Sequence, residues 1–169
     1  MLSEPVRIPV GIVVERRKAR SEWIDFVWRP VTALIGSPAA ERWTTLKEDG
    51  ETTSFYAGGT HIELFPTETA YYRDNLATGE PLLWVILRPS KGAWPYELFK
   101  VTADPYEGEA LTETGADLVE TIAMPGAIAD EIAEFVARYH VERPFVKRKR
   151  DRADPEALAR KIPAKEGKQ

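Results

Sequence analysis

Apolar and polar positions alternate along most of the first hundred residues, and that period of two predicts strands. Arg7 to Glu15 (Arg-Ile-Pro-Val-Gly-Ile-Val-Val-Glu) is β-branched and apolar and predicts a first strand, with Pro9 placing its beginning at a sheet edge. Trp23 to Ile35 predicts a second strand, bent or interrupted at Pro30. Arg42 to Leu46 reads as a short strand, and the Asp49-Gly50 dipeptide as a hairpin turn. Thr52 to Ala57 and His61 to Phe65 are expected to pair with each other around Gly58-Gly59. After a helical or irregular excursion over Thr67 to Ala77, Leu82 to Leu87 is a continuous apolar run, as in a central strand covered on both faces. Tyr96 to Thr102 adds another strand.

The period then changes. Asp104-Pro105-Tyr106-Glu107 carries a helix start: an Asp N-cap, a Pro tolerated at the first position, and an acid in the first turn. That helix should stop at Gly115 after about Thr114. Asp117 to Ala123 predicts one more strand. From Pro125, apolar residues Ile128, Ile132, Phe135, Val136 and Tyr139 recur at spacings of three and four, opposite Asp130, Glu131, Glu134 and Arg138. The expected fold is therefore α+β: a strongly bent antiparallel sheet or partial β-barrel of six to eight strands, packed by one C-terminal amphipathic helix.

Charge divides the chain into two parts. Residues 147–169 hold nine Lys and Arg against four Asp and Glu, a net of +5. The whole chain carries −4, which leaves −9 for residues 1–146. The expected organisation is a β-rich domain over 1–146 and a basic arm over 147–169, in which Asp154-Pro155-Glu156 signals a short helix before a disordered end. Lys147, Arg148, Lys149, Arg150 and Arg152 are the candidate partner-binding residues. An acidic protein surface, on a partner or on the chain's own body, ranks first as their target, solubility second and nucleic acid third. The acidic total and the lack of an aromatic RNP-like strand weigh against a nucleic-acid binder.

Composition narrows the chemistry. With no cysteine, disulfides, thiolate metal sites and a Cys nucleophile are excluded. The two histidines, His61 and His140, have no metal-ligand spacing, and a hairpin position and a helix-end position explain them. There is no G-x-S-x-G elbow, P-loop or G-x-G-x-x-G motif. No catalytic residue, metal or cofactor is implied. The N-terminus does not read as a signal peptide and no apolar run approaches a membrane span, so the expectation is cytoplasmic, with no membrane partner. Five tryptophans are many for 169 residues. Trp84 lies in an apolar run and is core. Trp23 and Trp28, beside Arg16, Arg17, Lys18 and Arg29, either anchor a ligand or cap the open end of a barrel, and the second reading is favoured.

Three blocks resemble a known family: Val10-Gly11-Ile12-Val13-Val14-Glu15-Arg16-Arg17 with Trp23-x-Asp25 and Trp28-Arg29-Pro30-Val31; Val101 to Glu107; and Val141 to Pro155. They look like a proteobacterial family of single-domain proteins, some of them labelled molybdopterin-guanine dinucleotide biosynthesis protein A. Its members tend to be encoded near formate dehydrogenase and related molybdoenzymes. The resemblance implies a place in molybdoenzyme maturation or assembly. It does not extend to nucleotidyl transfer, because the first strand ends in Glu15-Arg16-Arg17-Lys18 with no glycine-rich phosphate loop. The leading expectation is a non-catalytic accessory protein that binds a protein partner. The alternative is a nucleotide- or molybdopterin-binding enzyme of molybdenum cofactor biosynthesis, with Arg16, Arg17, Lys18, Trp23, Trp28 and Arg29 around the ligand.

Overall fold

The structure, a computed structural model, describes residues 4–140. The basic arm therefore lies outside the described residues. Seven strands and three helices follow one another as β1 (Val6–Lys18), β2 (Phe26–Ile35), β3 (Thr44–Asp49), β4 (Thr52–Leu64), α1 (Thr69–Ala77), β5 (Leu82–Pro89), β6 (Tyr96–Thr102), α2 (Pro105–Thr114), β7 (Leu118–Ala123) and α3 (Gly126–Tyr139). The class is α+β with antiparallel pairing throughout. The single bent sheet or partial barrel is not what forms. There are two sheets, of order β2-β1-β4-β3 and β6-β5-β7. β4 runs beside β6 and β2 beside β7, but no ladder joins the sheets. Nor is one helix sufficient to cover them: α1, α2 and α3 all pack on the core or on one another.

Alternation along β1 builds the centre. Ile8, Val10, Ile12 and Val14 point into a core that also takes Phe55, Ala57, Ile62 and Leu64 from β4 and Leu83, Val85 and Leu87 from β5. β1 is long enough to pair with the whole of β4, so Thr52 to Leu64 is one strand rather than two that pair with each other. Gly58 and Gly59 make no turn. Gly58 sits at a register shift opposite Ile12 with φ +123°, a conformation suited to glycine, so the expected turn is a bulge inside a strand. Gly59 faces Gly11 across the ladder, and a side chain at Gly59 would overlap Ser37. The pair clears space for the 36–38 loop, which is held by the Tyr56 hydroxyl donating to the Pro38 carbonyl at 2.6 Å. Pro30 does not break β2 but lies where the β1–β2 register slips, and Pro9 precedes the first β1–β2 pair, Val10 with Ile35.

β5 is apolar throughout because both its faces are covered. Leu83, Val85 and Leu87 join the central core, while Trp84 and Ile86 are buried on the opposite face, where α2 packs. α2 begins as its sequence dictates. Asp104 accepts from the amides of Tyr106 (2.9 Å) and Glu107 (3.3 Å), and Gly115 ends the helix at φ +71°. Gly108 lies directly on the indole of Trp84, where a Cβ would overlap the ring. α3 buries Ile128, Ile132, Phe135 and Val136, packing against α1 through the edge contact of Phe135 with Tyr72. Buried Asn75 ties α1 to the sheet. Its amide donates to the carbonyls of Leu82 (2.8 Å) and Ala103 (3.0 Å), and its Oδ1 accepts from the Leu82 amide (3.0 Å).

Gly108→Ala decides between two opposed effects. Helix propensity alone would favour Ala by ~1 kcal/mol, whereas overlap with Trp84 forces α2 off the sheet at a cost of about 1–3 kcal/mol. The expected net result is destabilisation, read as a lower denaturant midpoint. An unchanged or raised midpoint would mean that α2 does not lie on Trp84.

Candidate functional site

Successive residues of a strand face opposite sides, so the run Glu15-Arg16-Arg17-Lys18 cannot act as one cluster. Arg16 pairs with Trp28 and turns inward; Glu15 pairs with Arg29 and Arg17 with Val27 on the other face. The inward guanidinium lies 4.3 Å from the ring centre of Phe26, 5.1 Å from Phe55 and 5.6 Å from Trp28. These distances are cation–π contacts. Trp28 stacks on Phe55 (5.8 Å, 24° between planes) and meets Trp43, Trp94 and Tyr96 edge-on, and Trp43 stacks on Trp94 at 5.5 Å. The cluster plugs the end of the core remote from Val6. Trp43 is held there at φ +67°, a strained backbone for a bulky residue that its burial offsets. Trp28 therefore caps the core, while Trp23 does not.

Trp23 instead stands in the β1–β2 loop, 90% exposed. The loop is closed by the Ala19 amide donating to the Asp25 carbonyl at 3.0 Å, and the Trp23 amide donates to Ser21 Oγ at 3.0 Å. Ile24, Phe26 and Val27 are exposed with it. Exposed Arg17, Lys18, Arg20 and Arg29 lie near this tip with exposed Glu22 and Asp25, and Glu15, Arg17, Val27 and Arg29 line an open cleft of about 310 Å3 on the outer face. Of the six residues expected around a ligand, Arg17 and Arg29 share the outer face. Arg16 and Trp28 share the inner one, Lys18 ends the strand opposite Phe26, and Trp23 projects from the loop.

Three further clefts lie among the described residues. One of about 380 Å3 lies between β4, β6 and α2 and is lined by His61, Phe99 and Thr102 with two ion pairs, Arg7–Glu63 (3.2 Å) and Lys100–Glu107 (2.7 Å). His61 is thus mid-strand, opposite Pro9, and not in a hairpin. A second, of about 410 Å3, opens beside Trp84 among Asp74, Asn75, Glu80, Leu82 and Tyr106. The Tyr106 hydroxyl lies 3.3 Å from Asp74, and the charge on that carboxylate pushes the phenol above its ordinary pKa. A third, of about 90 Å3, lies against α3 at Glu131, Glu134 and Arg138. His140 ends α3 with Nδ1 2.9 Å from Thr69 Oγ1 and a buried Nε2 that meets no partner among the described residues. Among the described residues no group of three or more His, Asp or Glu is placed to hold a metal, and no helix is long and apolar enough to cross a membrane.

The family described as "Protein of unknown function (DUF3305)" matches residues 9–149. The chain belongs to that family. Comparison with curated proteins and with solved structures returns no match. Within this DUF3305 chain the aromatic plug has no local sequence signature, because Trp43, Phe55 and the pair Trp94 and Tyr96 come from three separate segments. The cleft beside Trp84 has no local signature either, since it forms where α1 and α2 meet a largely buried strand residue.

Phe55 is 2% exposed at the centre of the plug. Phe55→Ala should cost ~3–5 kcal/mol and shift tryptophan emission to longer wavelength as Trp28, Trp43 and Trp94 lose their partner. A loss below ~1 kcal/mol, small for a buried aromatic, would mean that the rings do not pack as a unit.

Proposed function

We propose that this protein is a non-catalytic accessory protein that docks on a protein partner through the β1–β2 end, and that it serves molybdoenzyme maturation or assembly, with formate dehydrogenase as the first candidate. One observation carries the docking surface. Trp23 and Ile24 of the loop and Val27 of the outer face are exposed beside Arg17, Arg20 and Arg29, which outnumber the exposed loop acids Glu22 and Asp25. Apolar side chains so concentrated and rimmed by charge favour association, since burying each contributes ~1.5–3 kcal/mol. A tryptophan with an arginine beside it is a frequent anchor. The basic rim selects an acidic partner and steers its approach. The molybdoenzyme context comes from the resemblance of the three sequence blocks.

The alternative, a nucleotide or molybdopterin bound by the Arg and Trp residues of β1 and β2, finds less support. Its six residues lie on two faces of the sheet, and Arg16 is occupied by aromatic rings. What favours it is the outer cleft, where Arg17 and Arg29 stand together, although the carboxylate of Glu15 in the same cleft opposes an anion.

Complementation of a gene deletion tests the proposal. The deletion should lower formate oxidation, the wild-type chain should restore it, and Trp23→Ala/Val27→Ser should restore less than a tenth while accumulating to the same level. Full restoration by the double variant would remove the β1–β2 end as the docking surface. Undiminished formate oxidation in the deletion strain would remove the molybdoenzyme context.

A further inference from the structure

The cleft beside Trp84 differs from the other three in charge. In the cleft of β4 and β6, Arg7 and Lys100 pair with Glu63 and Glu107; Arg17 and Arg29 outnumber Glu15 on the outer face; Arg138 accompanies Glu131 and Glu134 on α3. The cleft beside Trp84 is lined by two carboxylates, Asp74 and Glu80, and by no basic residue. Its remaining walls are largely apolar or aromatic: Leu82, Trp84, Pro105 and Tyr106, whose ring packs 4.7 Å from that of Tyr71. Carboxylates in an otherwise largely apolar cleft suit a guanidinium or ammonium group, because the acids accept its hydrogen bonds and the apolar walls receive its aliphatic stem.

We infer that this cleft is the docking site of the chain's own basic run, Lys147 to Arg152, seated in cis. Connectivity and charge select that occupant. His140 contacts Thr69 at the beginning of α1, so the chain leaves the described residues at the helix that carries Asp74. Asp74 lies five residues along α1 from Thr69, a rise of roughly 8 Å. The seven residues from 141 to 147 span up to about 23 Å when extended. The run is the densest cluster of cations in the sequence, and it is tethered within reach of a cleft of opposite charge. Tethering supplies an effective concentration near the millimolar range, so even weak contacts fill the site. The inference is independent of the docking surface at the β1–β2 end, which lies on other elements.

Carbodiimide coupling of the full-length protein tests it, because the reagent joins a lysine to a carboxylate only where the two touch. Peptide mass spectrometry should find Lys147 or Lys149 joined to Asp74 or Glu80. In an equal mixture of 14N and 15N protein the joined peptides should be isotopically unmixed. Asp74→Asn/Glu80→Gln, changes at two exposed positions, should raise the rate of tryptic cleavage between residues 147 and 152 at least fivefold at low salt. Linkage of the run to other carboxylates alone, no linkage of the run at all, or isotopically mixed links indicating a second copy would each overturn the inference. So would an unchanged cleavage rate in the double variant.

Discussion

The guanidinium of Arg16, seated over Phe26, Phe55 and Trp28, is the contact around which the molecule is arranged. It occupies the inward position that continues the row Ile8, Val10, Ile12, Val14, so β1 extends past its aliphatic core without ending in a void. Its charge is met by ring faces, and its planar group lies against them as an aliphatic residue would. With Arg16 inward, alternation sends Glu15 and Arg17 outward. The same contact that closes the core therefore fixes which charges the outer face shows. A basic run that reads as one cluster in sequence is divided by the sheet into a packing residue and surface residues.

The second sheet follows a different constraint. β5 has no solvent face: the first sheet covers one side and α2 the other, and α2 approaches closely only because residue 108 is glycine. Glycine in mid-helix is a cost in propensity that the contact with Trp84 offsets. Asn75 fixes α1 against the end of β5, and the cleft between α1, α2 and Trp84 is what remains where two helices meet a strand without filling the corner. The acids that line it belong to the −9 body.

Local signals were legible in the sequence where a single segment decided the outcome. Asp104-Pro105 and Gly115 bound α2 as read, Leu82 to Leu87 is the doubly covered strand, and the stripe is buried from Ile128 to Val136 with Tyr139 half-buried at its end. The α+β class followed from these. What was not legible depended on partners distant in sequence. Gly58-Gly59 reads locally as a turn, but β1 is long enough to hold both halves of β4, and the glycines then serve a bulge. The division into two sheets depends on which strand edges pair, which no local pattern encodes. At the candidate site, Trp23 and Trp28 look alike in sequence, yet Trp28 lies in β2 opposite Arg16 and Trp23 in the loop before it.

The opposed roles of neighbouring Arg16 and Arg17 give the most direct measurement of the central claim, that the aromatic end of β1 is structural and its outer face binds a partner. Arg16→Met and Arg17→Glu are compared for the midpoint of thermal unfolding and for restoration of formate oxidation in the deletion strain. Arg16→Met should lower the midpoint and, at a permissive temperature, restore activity; Arg17→Glu should leave the midpoint within error of wild type and fail to restore. The reverse pattern, with Arg16→Met stable but inactive and Arg17→Glu active, would contradict it.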